Sequence, residues 1–303
     1  MFLFFRAYIS SSRPATLLLA IACALLGNAL ALFAGVFSVA IFVLTMLTAM
    51  SLQILSNLAN DYGDYQKGTD KVGQRIGPVR ALQKGEITAA HLKGMIVFSI
   101  VLTICFGVAL LYFALSSKDI LYVLAFAFLG IASIWAAIKY TAGRNPYGYR
   151  GLGDLFTFIF FGPVGIVGGY FLQTHQVDFV PWLPGIGFGI LTIMVINVNN
   201  MRDARNDLLA GKVTIPIILG DRGAKHYHAF LTLGALLCFL GFALIYMQYW
   251  YQYLFALVFL PLLQCVADIY KIQENIKYAP YLKRTVILSF LLVVAFSFCI
   301  NLK

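Results

Sequence analysis

Nine long apolar runs, joined by short polar segments, constrain this chain more than any other feature. They lie at about 14–35, 38–60, 92–115, 120–140, 152–172, 182–200, 225–247, 250–269 and 284–301. About 20 consecutive apolar residues cross the hydrocarbon core of a bilayer as a helix. Within that core every backbone polar group must find its partner inside the protein, which leaves helices or a closed barrel. Runs of this length and apolarity read as helical spans. Only 11% of the 303 residues are charged, against about 25% in soluble domains. The expected fold is an all-α, polytopic membrane bundle of nine transmembrane helices, one domain over residues 1–303. No small-residue cleavage site follows the first run, so it reads as a span and not as a cleaved signal peptide. Cys23, Cys105, Cys238, Cys265 and Cys299 are scattered singly and read as small packing residues.

The basic residues set an orientation. With the N-terminus inside, 20 of the 22 Lys and Arg residues fall on the inner side, and only Lys118 and Lys303 fall outside. The positive-inside rule then places the N-terminus in the cytoplasm and the C-terminus across the membrane. Ten of the twelve acidic residues share the inner side. Polar chemistry, and the mouth of any central cavity, are therefore expected at the cytoplasmic face of the inner (plasma) membrane. The net charge of +10 suits anionic lipid and a polyanionic substrate alike. Nucleic acid is not an expected partner, because the basic residues sit in short loops between spans.

Two acidic signatures mark that face. The first is Asn57-x-x-Asn60-Asp61-x-x-Asp64-x-x-x-Gly68-x-Asp70, and the second is Asn200-x-x-Asp203-x-x-x-Asp207-x-x-x-Gly211-Lys212. A shift of 143 positions superposes Asn57 on Asn200, Asn60 on Asp203, Asp64 on Asp207 and Gly68 on Gly211. At about 100° per residue, Asn57, Asp61 and Asp64 share one arc of about 60°, and so do Asn200, Asp203 and Asp207. Carboxylates near hydrocarbon are costly. Two such stripes facing each other would repel unless cations bridged them. Hard divalent ions such as Mg²⁺ take oxygen ligands and are commonly shared between carboxylates and phosphate oxygens. Ordinary polar helix ends are the alternative for either stripe alone; the matched register favours joint use.

The loops after each signature are basic and rich in Gly and Pro. They supply Arg75, Arg80 and Lys212, which are expected diphosphate partners beside their role in topology. A third polar stretch, from Lys139 through Tyr140, Arg144, Tyr149 and Arg150 to Asp154, follows the fourth run and reads as a lid or substrate-contact loop. No G-x-x-x-x-G-K-[ST] loop is present, which argues against a nucleoside triphosphatase. Gly162, Pro163, Gly165, Gly168 and Gly169 mark the fifth run as irregular. The histidines His91, His175, His226 and His228 read as interfacial polar residues. Asp268 reads as a local ion pair with the basic run at Lys271, and Asp154 as a cap for the fifth helix.

Taken together, these motifs resemble the UbiA superfamily of intramembrane prenyltransferases, and the likeness covers essentially the whole chain. Within it, the chain is most similar to the branch that prenylates 1,4-dihydroxy-2-naphthoate. The stretches that carry this are Arg13-Pro14-x-Thr16-Leu17, the first aspartate signature, Tyr149-Arg150-Gly151-Leu152-Gly153-Asp154, and Asn199-Asn200-x-Arg202-Asp203 through Thr214. Gly68 and Asn200 stand where the generic motifs carry aspartate, and both departures fit the naphthoate branch. The resemblance implies a nine-helix fold with a central cavity opening to the cytoplasmic side. It implies Mg²⁺ held against a polyprenyl diphosphate by Asp61, Asp64, Asp203 and Asp207, with Asp70 assisting. Asn57, Asn60 and Asn200 would position ligands. Arg13, Arg75, Arg80, Lys139, Arg144 and Lys212 would neutralise the leaving group. Tyr140 would sit near the reacting centre. The implied product is demethylmenaquinone, formed with loss of CO₂. Another aromatic acceptor, such as 4-hydroxybenzoate or homogentisate, is the nearest rival. A transporter is the rival from another class, though no polar path crosses to the nearly chargeless outer side.

Overall fold

The computed structural model describes residues 8, 11–68, 82, 84–115 and 120–302. Among them, nine helices are long and apolar enough to cross a membrane. In chain order they are α1 (Pro14–Phe33), α2 (Val39–Lys67), α3 (Ala89–Leu115), α4 (Ile120–Lys139), α5 (Gly153–Thr174), α6 (Trp182–Leu209), α7 (Ile215–Tyr246), α8 (Trp250–Tyr270) and α9 (Ala279–Ile300). The chain is a multi-pass, all-helical membrane protein.

The ends of three helices depart from the hydropathy reading. The second and sixth apolar runs end near 60 and 200, yet α2 continues to Lys67 and α6 to Leu209. Hydropathy registers where apolar side chains stop, but a helix continues while its backbone bonds and polar side chains remain satisfied. Both aspartate signatures therefore lie within the last turns of continuous helices. The seventh helix starts at Ile215, about ten residues before the apolar run, with Thr214 extended before it and Pro216 in its first turn. Gly220, at φ 69°, kinks it. His228 is buried against the packed helices, at 1% exposed. Asp268 is paired as expected, 3.7 Å from both Lys271 and Arg284.

The irregularity foreseen in the fifth crossing is a π-helical stretch. α5 is α-helical over Gly153–Ile159, π-helical over Phe160–Val167 and α-helical again over Gly168–Thr174. Pro163 lacks an amide hydrogen, so the regular ladder cannot continue through it. The main core gathers side chains from α1, α5, α6, α7, α8 and α9, with Phe188, Phe239, Phe242, Phe255 and Phe296 fully buried. On the other side α2 packs with α3 and α4. α2 and α6 pack on other helices and not along each other. The space between them is the cavity.

Candidate active site

The cavity measures about 1230 Å³ and is lined by α1, α2, α3, α4, α5, α6 and α9. Its depth is apolar, with Leu19, Leu52, Leu111, Phe126, Ile134 and Phe160 among the lining residues. Its polar end carries Arg13, Asn57, Asn60, Asp61, Tyr140, Asn199 and Arg202.

One wall is α2. Asn57 is 3% exposed and donates from Nδ2 to the Ser12 carbonyl at 2.7 Å and to Thr16 Oγ1 at 2.9 Å, fastening α2 to the start of α1. Asp61 accepts a hydrogen bond from Arg13 Nη2 at 2.5 Å. Arg13 precedes the helix-starting Pro14 at φ 49°. Non-glycine residues rarely adopt that left-handed conformation. Here the Arg13 carbonyl, accepting from the amide and hydroxyl of Thr16, holds it. One turn on, Asn60 Oδ1 accepts from the Thr141 hydroxyl at 3.1 Å. Asp64 Oδ1 accepts from Tyr149 Oη at 3.3 Å.

The facing wall is α6. Arg202 grips its sequence neighbour Asp203 with two hydrogen bonds, Nε to Oδ1 at 2.7 Å and Nη2 to Oδ2 at 2.6 Å, and Nη2 also reaches Asn199 Oδ1 at 2.8 Å. Asp207 pairs with Lys212 Nζ at 3.0 Å. Asp64 bonds Tyr149 Oη, and the Lys212 ammonium that pairs with Asp207 lies 6.0 Å from the Tyr149 ring, so the two signatures approach one another. Lys212 is 8% exposed. Burial alone would lower its pKa, but Asp207, Tyr140 and Asp64 outweigh that and hold its ammonium above the usual lysine range. Tyr140 is pushed upward by burial, so its phenol stays neutral.

The loops close over both walls as a unit. The Val213 amide donates to the Tyr149 carbonyl at 3.1 Å, and Arg150 forms a parallel bridge with Val213. The Tyr149 ring sits under two ammonium groups, Lys67 at 5.5 Å and Lys212 at 6.0 Å, a geometry that favours cations. The Tyr140 ring packs on Gly148 and Gly153 and meets Tyr147 edge to face at 5.5 Å. Tyr147 in turn stacks on Phe156 at 4.1 Å.

The expected residues that the structure describes thus fall into three groups. Arg13, Asn57, Asn60, Asp61 and Tyr140 line the cavity. Asp64, Asp203, Asp207, Asn200 and Lys212 surround its polar end without lining it. Lys139, the last residue of α4, and Arg144, on the loop after it, do not line the cavity: Lys139 folds toward Gly143 and the Arg144 carbonyl lies within 3.5 Å of Lys67 Nζ. Asp70, Arg75 and Arg80 lie outside the described residues. Asp154, expected to cap α5, is in its first turn and accepts from Tyr227 Oη at 3.0 Å.

Among the described residues, no three His, Cys, Asp or Glu side chains converge as a finished metal cage. Asp61, Asp203 and Asp207 each carry an internal cation, and Asp64 a phenol. The donor set fits a hard divalent ion: every candidate ligand is a carboxylate or amide oxygen. Asn200 Oδ1 is in addition a buried acceptor with no hydrogen-bond partner among the described residues. Sequence reading assigned no role to Arg202. Adjacent residues on a helix do not share a face, so spacing does not reveal a guanidinium that curls back onto the next carboxylate.

Gly63 shows how closely the loop seats on α2. A Cβ there would lie 2.5 Å from Thr141 Oγ1 and 2.6 Å from its carbonyl carbon. Gly63→Ala is expected to destabilise by about 1–3 kcal/mol and to reduce turnover, because α2 must shift where it carries Asp61 and Asp64. Gly94→Ala, whose Cβ would meet nothing within 4 Å, is the control and should be neutral or slightly stabilising. Melting midpoints of the two variants in detergent compare them directly.

The sequence profile of the UbiA prenyltransferase family matches residues 19–291. A protein of Haemophilus influenzae named 1,4-dihydroxy-2-naphthoate octaprenyltransferase is 42% identical over 289 residues, covering 95% of this chain and 93% of its own. The Escherichia coli protein of the same name is 40% identical and covers 93% and 90%. Among solved structures, a UbiA homolog from Archaeoglobus fulgidus bound to GPP and Mg²⁺ superposes with a TM-score of 0.66 at 16% identity, over 98% of this chain and 100% of that one. The apo UbiA homolog from Aeropyrum pernix gives 0.65 at 17% identity, over 90% and 96%. Those two structures share the fold. With a family profile spanning nearly the whole bundle and relatives so alike along their full length, this chain belongs to the UbiA prenyltransferase family.

Proposed function

We propose that this protein transfers a polyprenyl group from polyprenyl diphosphate to 1,4-dihydroxy-2-naphthoate, with loss of CO₂, to give demethylmenaquinone. The observation that carries the reading is the pair of aspartate-bearing helix tips converging at the polar end of a large apolar cavity. The choice of acceptor follows the names of the relatives that match along nearly their whole length.

In this reading the isoprenoid tail lies in the apolar depth and the diphosphate lies between α2 and α6. Asp61, Asp64, Asp203 and Asp207 would hold Mg²⁺, with Asp70 as a further candidate ligand; the ion would supply stabilisation of the charge that develops on the departing diphosphate. Arg13, Arg202 and Lys212 already sit against those carboxylates and are placed to share the phosphate oxygens. Asn57 fixes the first turn of α1 on α2. Asn60 and Asn200 offer amide oxygens near the same point. Arg75, Arg80, Lys139 and Arg144 are proposed as further anion partners.

As the allylic C–O bond breaks, its electron pair leaves with the diphosphate. Tyr140 presents a neutral phenol and a π face at the mouth, where positive charge on carbon is stabilised. The apolar lining keeps water from that carbon. An electron-rich ring carbon of the naphthoate forms the new C–C bond, and departure of the carboxylate as CO₂ returns an electron pair to the ring. The inner membrane location, with the N-terminus cytoplasmic, rests on the placement of 20 of 22 basic residues. Purified protein supplied with Mg²⁺ and a prenyl diphosphate should prenylate dihydroxynaphthoate in preference to 4-hydroxybenzoate. Turnover with hydroxybenzoate alone would overturn the choice of acceptor.

A further inference from the structure

Three cationic side chains line the cavity among the described residues: Arg13, Arg202 and Lys283. The first two are engaged, Arg13 by Asp61 and Arg202 by Asp203 and Asn199. Lys283 is different. It is exposed to the cavity and makes no ion pair or side-chain hydrogen bond among the described residues. Its neighbour Arg284 turns the other way, toward Asp268 on α8.

The surroundings of Lys283 define what it could bind. It stands in the first turns of α9, where Leu282 and Val286 also line the cavity. Val286 packs with Leu19 of α1 and Val195 of α6, and Leu282 and Phe161 pack against that cluster. A single ammonium therefore stands at the edge of an apolar ledge. A diphosphate is a compact polyanion and is best met by several cations, which are found at the aspartates, and by the metal proposed there. A flat apolar ring bearing one carboxylate matches a ledge with one charge.

We propose that Lys283 is the acceptor-specificity residue: its ammonium binds the carboxylate of the aromatic acceptor, whose ring lies on Leu282 and Val286. This rests on the naphthoate reading above. Because the carboxylate departs as CO₂, the contact is present for the substrate and absent for the product. Lys283 thus favours acceptor capture and quinol release without contributing to bond making.

Lys283→Met removes the charge and keeps an apolar stem. KM for dihydroxynaphthoate is expected to rise about ten- to a hundredfold, the scale of one charge-assisted hydrogen bond. KM for the prenyl diphosphate and the melting midpoint should stay at wild-type values. Turnover of 1,4-naphthalenediol, which lacks the carboxylate, should be equal in variant and wild type, and Lys283→Arg should restore the acceptor KM. A rise in the prenyl diphosphate KM, or an equal loss with the diol, would overturn the assignment. Binding of the non-reacting 1-hydroxy-2-naphthoate to the full chain tests it without catalysis: weaker binding to Lys283→Met supports the contact, and equal binding refutes it. Absence of dihydroxynaphthoate turnover by the wild type would instead refute the proposed function, while that binding result still decides the role of Lys283.

Discussion

Asp61→Asn should lower kcat/KM by at least about 10³-fold, the scale on which preorganised electrostatic stabilisation of a transition state operates. Asp61 is 3% exposed and faces the cavity. The substitution preserves shape and removes the charge that would anchor a divalent ion. Its partner Arg13 is one-third exposed, so water can take over part of the lost contact and folding should change little. The expected result is therefore a dead but folded protein, read by steady-state rates alongside a melt in detergent. Chelation of the wild type with EDTA should produce the same loss, reversed by added Mg²⁺. Near-normal turnover by Asp61→Asn would remove this residue from the proposed metal site.

Lys212→Met should lower stability by about 3 kcal/mol, beside weakening the proposed diphosphate contact. Its ammonium and the Asp207 carboxylate are both nearly buried, at 10% and 6% side-chain exposure. Removing one member of a buried pair leaves the other as an uncompensated charge, which typically costs 3–5 kcal/mol. The sign of the pH dependence follows from the raised lysine pKa. The contribution is complete below the ordinary lysine value of about 10.4 and fades only as pH rises through the higher folded value. Denaturant midpoints of wild type and variant should therefore differ by a constant amount between about pH 7 and pH 9. A gap that closes within that range would show that Lys212 is not held as an ion pair.

The bundle was readable from the sequence because hydrocarbon imposes length and apolarity on each crossing, and the nine runs carry that imprint directly. The two aspartate stripes were readable for a related reason: charged side chains at a membrane boundary stand out, and their matched register on two helices singled them out further. The ends of α2 and α6 were not readable. Hydropathy falls where the carboxylates begin, whereas the backbone ladder continues through them to Lys67 and Leu209. Gly162, Pro163 and Gly165 announced an irregular fifth crossing, but not that the ladder would widen into a π-helix. Tyr149 belonged to a recognisable stretch. Its bond to Asp64 joins residues 85 apart in sequence, and no local pattern encodes such a contact. Lys283 read as a topology determinant, and only the structure shows that it lines the cavity.

The aspartates of this protein bring their own counter-charges: Arg13 for Asp61, Arg202 for Asp203, Lys212 for Asp207. Many metalloproteins depend on their ion to fold, since ligands otherwise repel or stay exposed. Here biogenesis need not wait for a metal supply. Under the proposed function, a newly inserted polypeptide would settle and persist in ion-poor surroundings, its lifetime in the bilayer uncoupled from magnesium availability.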